Sequence, residues 1–231
     1  FFQAEDVIGD RSPSRGLGDV YKRQGAQGNA LAEIDADLEG QHPMTRLLQG
    51  DVGSGKTIIA LLTMVSAVET GAQAAMMVPT ELLARQHGRN LAPLCEAAGV
   101  RLAVVTGRDS PVVRRQIGES VAAGEIDILI GTHALFQDQL SFRDLAVIVI
   151  DEQHRFGVHQ RLALSAKGTA GSNGSGPRPD MLLMTATPIP RTLALTVYGD
   201  MEVSRITELP ANRQPVETRA LALERLDEVI Q

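Results

Sequence analysis

One run of the chain, Gly50-Asp51-Val52-Gly53-Ser54-Gly55-Lys56-Thr57, has the residue types and spacing to hold a triphosphate. It fits the phosphate-loop pattern G-x-x-x-x-G-K-[ST] and lies between a strand-like run and a helix-like one, the context that makes the motif specific. In such a loop the glycines let backbone N–H groups curl around phosphate oxygens. Lys56 would reach the β- and γ-phosphates, and the Thr57 hydroxyl would ligate Mg2+ at the positive end of a helix. The chain has 22 lysines and arginines, yet Lys56 is the only lysine between Gly25 and Ala166.

A second run, Leu145–Ile150, is apolar throughout and ends in Asp151-Glu152-Gln153-His154. A buried strand that releases two carboxylates is what a magnesium-dependent NTPase requires. Asp151 would hold the metal through its water shell, and Glu152 would orient and deprotonate the attacking water. Alone, an acidic pair after a strand is more often a helix cap. The phosphate loop upstream reverses those odds.

These residues need a scaffold that brings distant loops together. From Gly25 onward, short apolar runs alternate with helix-length amphipathic segments, the signature of an α/β fold with a mainly parallel sheet flanked by helices. Strands are expected at Arg46–Gln49, Ala74–Val78, Arg101–Val105, Ile126–Ile130, Leu145–Ile150 and Met181–Thr185. Helices are expected at Lys56–Glu69, Glu81–Ala98, Val112–Ala123, Gly157–Ser165 and Ile189–Tyr198. Gly71, Gly99 and Gly124 stand just past helical runs, where a left-handed cap is wanted. The glycine- and serine-rich stretch Gly168–Pro179 reads as a flexible surface loop.

Composition narrows the classes further. A chain of 231 residues that is 43% hydrophobic can build one sizeable core. Its apolar runs fall short of the ~18 residues of a membrane span. Cys95 stands alone and permits no internal disulfide, and no Cys/His spacing resembles a zinc site. A reducing, cytosolic setting is expected. The formal charge of −6 and the pI near 5.4 argue against holding nucleic acid by a bulk positive field, so any such contact must be local.

Residues 1–24 show no sustained period and resemble translated sequencing-adapter DNA, so they are expected to be a non-native or disordered leader. Phe1 at the start and the helix-like run to Gln231 at the end lead us to expect a piece of a longer protein.

Together, the phosphate loop and Asp151–His154 resemble the first RecA-like lobe of a superfamily-two helicase. Pro79-Thr80-Glu81-Leu82-Leu83-Ala84, Thr106-Gly107 and Gly131-Thr132-His133-Ala134 resemble the loops that grip the nucleic-acid backbone in that superfamily. Ile150–Arg161 and Thr185–Ala194 are similar to the RecG family of ATP-dependent DNA helicases in particular. The resemblance implies a three-layer RecA-like P-loop NTPase lobe over residues 25–208, with a linker and the start of a second RecA-like lobe over 209–231.

It further implies ATP and Mg2+ as cofactors. Lys56, Asp151 and Glu152 would be catalytic, with Thr57 and Asp151 at the metal. Gln27, Gly50, Gly53, Ser54, Gly55, Lys56, Thr57, Gln153 and His154 would line the nucleotide. A glutamine at a helix start is ordinarily solvated, whereas the resemblance makes Gln27 the reader of adenine. Pro79, Thr80, Glu81, Thr106, Gly107, Gly131, Thr132 and His133 would contact nucleic acid, and His154, Thr185 and Thr187 would couple hydrolysis to strand movement. Each threonine after a strand could equally be a helix cap. The implied partners are branched or forked DNA, a second lobe that supplies an arginine finger, and a wedge domain, in a bacterial cytoplasm and with no membrane. Without those parts the chain is expected to bind nucleotide weakly and barely hydrolyse it.

Two alternatives remain at this level: the translocase lobe of a transcription-repair coupling factor, and a non-catalytic nucleotide-switched binding module. His42, His87 and His159 lack partner spacing and are expected to be surface or satisfied-core histidines, and Arg155, Arg161 and Arg191 are candidate phosphate or interlobe contacts.

Overall fold

The computed structural model describes residues 25–132, 135, 140–152, 178–187 and 201–207. In chain order these form α1 (Gly25–Leu38), β1 (Thr45–Gly50), α2 (Lys56–Glu69), β2 (Gln73–Met77), α3 (Glu81–Ala97), β3 (Leu102–Val105), α4 (Pro111–Ala123), β4 (Ile128–Gly131), β5 (Leu145–Ile150), β6 (Asp180–Thr185) and β7 (Glu202–Ile206). The strands make one sheet in the order β3-β4-β2-β5-β6-β1-β7. Every pairing in it is parallel.

The central strands are buried on both faces, which is why they read as unbroken apolar runs. Alternate residues serve opposite sides. Met76, Ile130, Val149 and Met184 face a core shared with α1, α2 and α3. Met77, Leu129, Ile150 and Leu183 face a second core closed by Val121 of α4, Leu140 and Phe142. Helix α2 carries Ile59, Leu62 and Met64 into the first core, each at most 2% exposed.

Local signals set the helix ends. The Thr80 hydroxyl accepts from Leu83 N to cap α3, and Ser110 caps α4 from Val113 N with Pro111 at the first helical position. Gly71, Gly99 and Gly124 take the positive φ values expected of them.

The six expected strands all form, and α2 has the expected bounds. Strand β7 and helix α1 as a full element add to that reading. The expected helices Gly157–Ser165 and Ile189–Tyr198, most of the Gly168–Pro179 loop, residues 1–24 and residues 209–231 lie outside the described residues. Among the described residues, no helix is long and apolar enough to cross a membrane.

Candidate nucleotide site

Parallel strands deliver their carboxyl ends to one edge of the sheet, where open α/β folds bind ligands. Strand β6 lies between β1 and β5, with Gln49 opposite Thr185 and Ile150 opposite Leu183. The phosphate loop that follows β1 and the Asp151–Glu152 pair that follows β5 therefore emerge from the same edge.

The loop closes on itself through Ser54 N donating to Asp51 O at 3.2 Å. It hands the chain to α2 at Gly55, whose φ of 91° is left-handed and which gives the helix no side-chain cap. A side chain at Gly55 would be blocked, since a Cβ there would lie 2.4 Å from Gln27 Nε2. Gln27 is only 6% exposed, contrary to the solvated position ordinary for a glutamine at a helix start. Its Nε2 donates to Ser54 O at 2.7 Å, which pins α1 across the loop. Gln27 Oε1 and Ser54 Oγ are both buried and have no hydrogen-bond partner among the described residues.

The Lys56 ammonium donates to Gly50 O at 2.7 Å and Asp51 O at 2.8 Å. Burial pushes its pKa below the ordinary lysine value, while the charges of Asp151, Glu152 and Asp51 pull it back up. Those acidic groups and the lysine thus share one electrostatic environment.

Asp151 is anchored at both levels. Its N–H donates to Met77 O at 2.9 Å, its Oδ1 accepts from Glu152 N at 3.0 Å, and its Oδ2 lies 3.1 Å from His87 Nε2. Glu152 is the one non-glycine described residue at positive φ, 50°. Such a backbone costs of order 1–3 kcal/mol and gathers at working sites.

Next to the loop, Gln49 Nε2 donates to Thr187 O at 3.2 Å. Thr187 N donates to Thr185 Oγ1 at 3.1 Å, and the two hydroxyls are 2.9 Å apart. The Thr185–Thr187 turn is therefore tied directly to the strand that feeds the phosphate loop.

Farther along the edge lie the expected nucleic-acid loops. Thr80 is exposed, and its hydroxyl accepts from Leu83 N and keeps its own proton for a further acceptor. Thr106 is buried, and Asp109 Oδ2 accepts from both its N–H at 2.6 Å and its hydroxyl at 3.0 Å. Although burial alone would raise it, the Asp109 carboxyl is held below the usual carboxylate range by Thr106 and Arg85. Gly107 and Arg108 are the exposed members of that loop, and Arg108 pairs with Glu81 at 3.0 Å. Thr132 is 2% exposed, and its Oγ1 has no partner among the described residues. His133, Ala134, Gln153, His154, Arg155, His159, Arg161 and Arg191 lie outside the described residues.

Two further residues at this edge carried no site expectation. His87, expected to be a surface or satisfied-core histidine, is largely buried and is satisfied by Asp151 in particular. Asp109, three residues after Thr106, fixes that loop, and a carboxylate so placed after a strand-ending threonine is a signal that could have found it. The contact between His87 and Asp151 joins residues far apart in the chain, so no local signal pointed to it.

The DEAD/DEAH box helicase family matches residues 26–196. The chain is 48% identical over 210 residues to the ATP-dependent DNA helicase RecG of Escherichia coli O157:H7, covering 91% of this chain and 30% of that protein. It is 51% identical over 205 residues to the RecG of Streptococcus pneumoniae serotype 4, covering 89% of this chain and 29% of the relative. Among solved structures, RecG bound to a three-way DNA junction aligns with a TM-score of 0.72 and 37% identity, over 92% of this chain and 28% of that one. The chain thus spans about 30% of the length of the curated relatives it matches.

Proposed function

Because the chain belongs to the DEAD/DEAH box helicase family, we propose that it is the ATP-binding motor lobe of a RecG-like DNA helicase that remodels branched DNA and stalled replication forks in repair and recombination. Residues 25–208 would form the lobe, and 209–231 the linker into a second RecA-like lobe. The full motor would work in a bacterial cytoplasm on forked DNA, together with that second lobe and a wedge domain.

One observation carries this reading: the phosphate loop after β1 and the Asp151–Glu152 pair after β5 leave the sheet at the same carboxyl edge, with only β6 between their strands. The residues present also fit a nucleotide. Gln27 Oε1 and Ser54 Oγ are buried and without partners among the described residues, and leaving such atoms unsatisfied costs about 1–3 kcal/mol each. An adenine amino group would satisfy the first. Magnesium, in turn, needs only one or two carboxylates alongside phosphate and water.

Bound ATP with Mg2+ would supply the phosphoryl group to be transferred and the cation that neutralises it. The protein's own groups then divide the work. Lys56 would exchange the Gly50 and Asp51 carbonyls for phosphate oxygens, and Gly53, Gly55 and Thr57 would present backbone N–H groups to them. Thr57 and Asp151 would hold the metal, while Glu152 would orient a water and take its proton. His154 with Thr185 and Thr187 would relay the nucleotide's state. The strand-gripping surface would comprise Pro79, Thr80, Glu81, Thr106, Gly107, Gly131, Thr132 and His133, acting through hydroxyls, N–H groups and an imidazole.

The test is Glu152→Gln in a motor that carries this lobe. Hydrolysis should fall by about 10²–10⁴-fold, the usual weight of a general base, while ATP binding persists. Hydrolysis by the variant at the wild-type rate would remove Glu152 from the chemistry, whereas nucleotide binding with no hydrolysis by the unaltered motor would leave a nucleotide-switched module as the better reading.

A further inference from the structure

His87 does not belong to the phosphate loop, to the acidic pair or to the strand-gripping residues. It lies on α3, about two turns past the Thr80 cap. Its side chain is 13% exposed and Asp151 is 15% exposed, so their 3.1 Å contact is largely shielded from water. An ionised carboxylate can only accept, so Nε2 must carry the proton in this pair.

With Glu152 N on Oδ1 at 3.0 Å and His87 on Oδ2 at 3.1 Å, both oxygens of Asp151 are held and the plane of the carboxylate is fixed. The two restraints come from different places. One is local to β5, and the other arrives from a helix that opens at the proposed nucleic-acid grip. The start of that helix is itself tied to the neighbouring grip loop, through Glu81 to Arg108 at 3.0 Å and Arg85 to Asp109 at 3.0 Å.

We propose that His87 is a positioning residue for the metal-facing carboxylate: it sets the orientation of Asp151 from α3, and so joins the strand-gripping end of that helix to the magnesium site. This inference rests on the nucleotide-site reading above. It differs from the coupling expected of His154, Thr185 and Thr187, since it acts on the carboxylate and not on the nucleotide or the second lobe.

The consequence is selective. Without His87 the carboxylate can swing, and metal capture weakens while nucleotide contacts made by the phosphate loop alone do not. Residues that orient metal ligands typically contribute 10–100-fold to metal affinity. The test titrates Mg2+ against the 231-residue chain with a fluorescent ATP analogue, and repeats nucleotide binding in EDTA.

For His87→Ala we expect the half-saturating Mg2+ concentration to rise by about 10-fold, with binding in EDTA unchanged. His87→Gln places its amide nitrogen as many bonds from Cβ as Nε2 and should restore the wild-type metal requirement. An unaltered Mg2+ requirement in His87→Ala overturns the proposal, as does an equal loss of binding with and without metal that His87→Gln fails to rescue. If the wild-type chain binds the analogue with no dependence on Mg2+, the site reading fails and takes this inference with it. An indifferent His87→Ala beside a Mg2+-dependent wild type sinks the His87 assignment alone.

Discussion

The two edges of the sheet treat polar groups in opposite ways. At the amino ends of the strands they are saturated. Gln73 is 2% exposed, and its amide donates to Val121 O and Ile126 O while its Oε1 accepts from Arg143 N and Asp144 N. Arg46 reaches Asp37, Glu33 and Ser204, Asp127 takes three bonds from Arg101, and Asp180 accepts from Met44 N at 2.6 Å. At the carboxyl ends, Gln27 Oε1, Ser54 Oγ and Thr132 Oγ1 are buried without partners among the described residues, and Glu152 holds a left-handed backbone. One edge is arranged for stability and the other forgoes it. Unsatisfied buried atoms and strain persist where a ligand is to complete them.

If that division is right, substitutions at the carboxyl edge should alter binding or relieve an unsatisfied group without costing stability, and those at the amino edge should cost stability and leave binding alone. Lys56→Ala should weaken nucleotide binding most, by about 10²-fold. Charge-assisted hydrogen bonds are worth ~1.5–3 kcal/mol each, and ~1.4 kcal/mol is tenfold. Fluorescent-nucleotide titration checks it, and full binding by the variant would break the comparison at its strongest point.

Gln73→Ala should instead lower the stability in urea by about 3 kcal/mol, since one buried and three part-buried groups lose their partner, with nucleotide affinity retained. Thr132→Val removes a hydroxyl with no partner among the described residues, at nearly constant shape, and should raise stability by about 1 kcal/mol. A loss of stability would show that the hydroxyl is already satisfied.

The smallest effect is at Asp127. Although burial alone would raise it, Arg101 holds this carboxyl below its ordinary value. Its stabilisation is therefore fully present above the unfolded value near ~3.9 and is lost as pH falls through the lower folded value. The Arg101 side chain is 55% exposed, so Asp127→Asn should cost only about 0.5–1 kcal/mol at neutral pH. That difference should vanish in acid, as followed by urea unfolding across pH.

Much of this was legible in the sequence, for identifiable reasons. The runs at Ala74–Val78 and Leu145–Ile150 are buried on both faces, so their composition alone marks them. Lys56 and Asp151 sit in patterns set by phosphate and metal chemistry, which tolerate little variation. Strand β7 was harder to read: Glu-Val-Ser-Arg-Ile is short and sets two polar residues side by side, and Ser204 and Arg46 become a pair only once the sheet forms. Helix α1 buries only Gln27, Ala30 and Ile34, too thin a stripe to signal an amphipathic helix. Strands β3 and β4 begin one and two residues later than expected, and the residues left out include Arg101 and Asp127, which pair with each other. His87 could not be read at all, because its partner is supplied by topology and not by spacing.

On the proposal above, the phosphate loop and the acidic pair serve one magnesium-bound nucleotide. The most direct test of that claim is a crystal structure of this chain soaked with Mg2+ and a non-hydrolysable ATP analogue. The terminal phosphates should lie against Lys56, with a single metal reached by the Thr57 hydroxyl and, directly or through water, by Asp151. Phosphates bound away from Lys56, or a metal that touches neither Thr57 nor the shell of Asp151, would contradict the account.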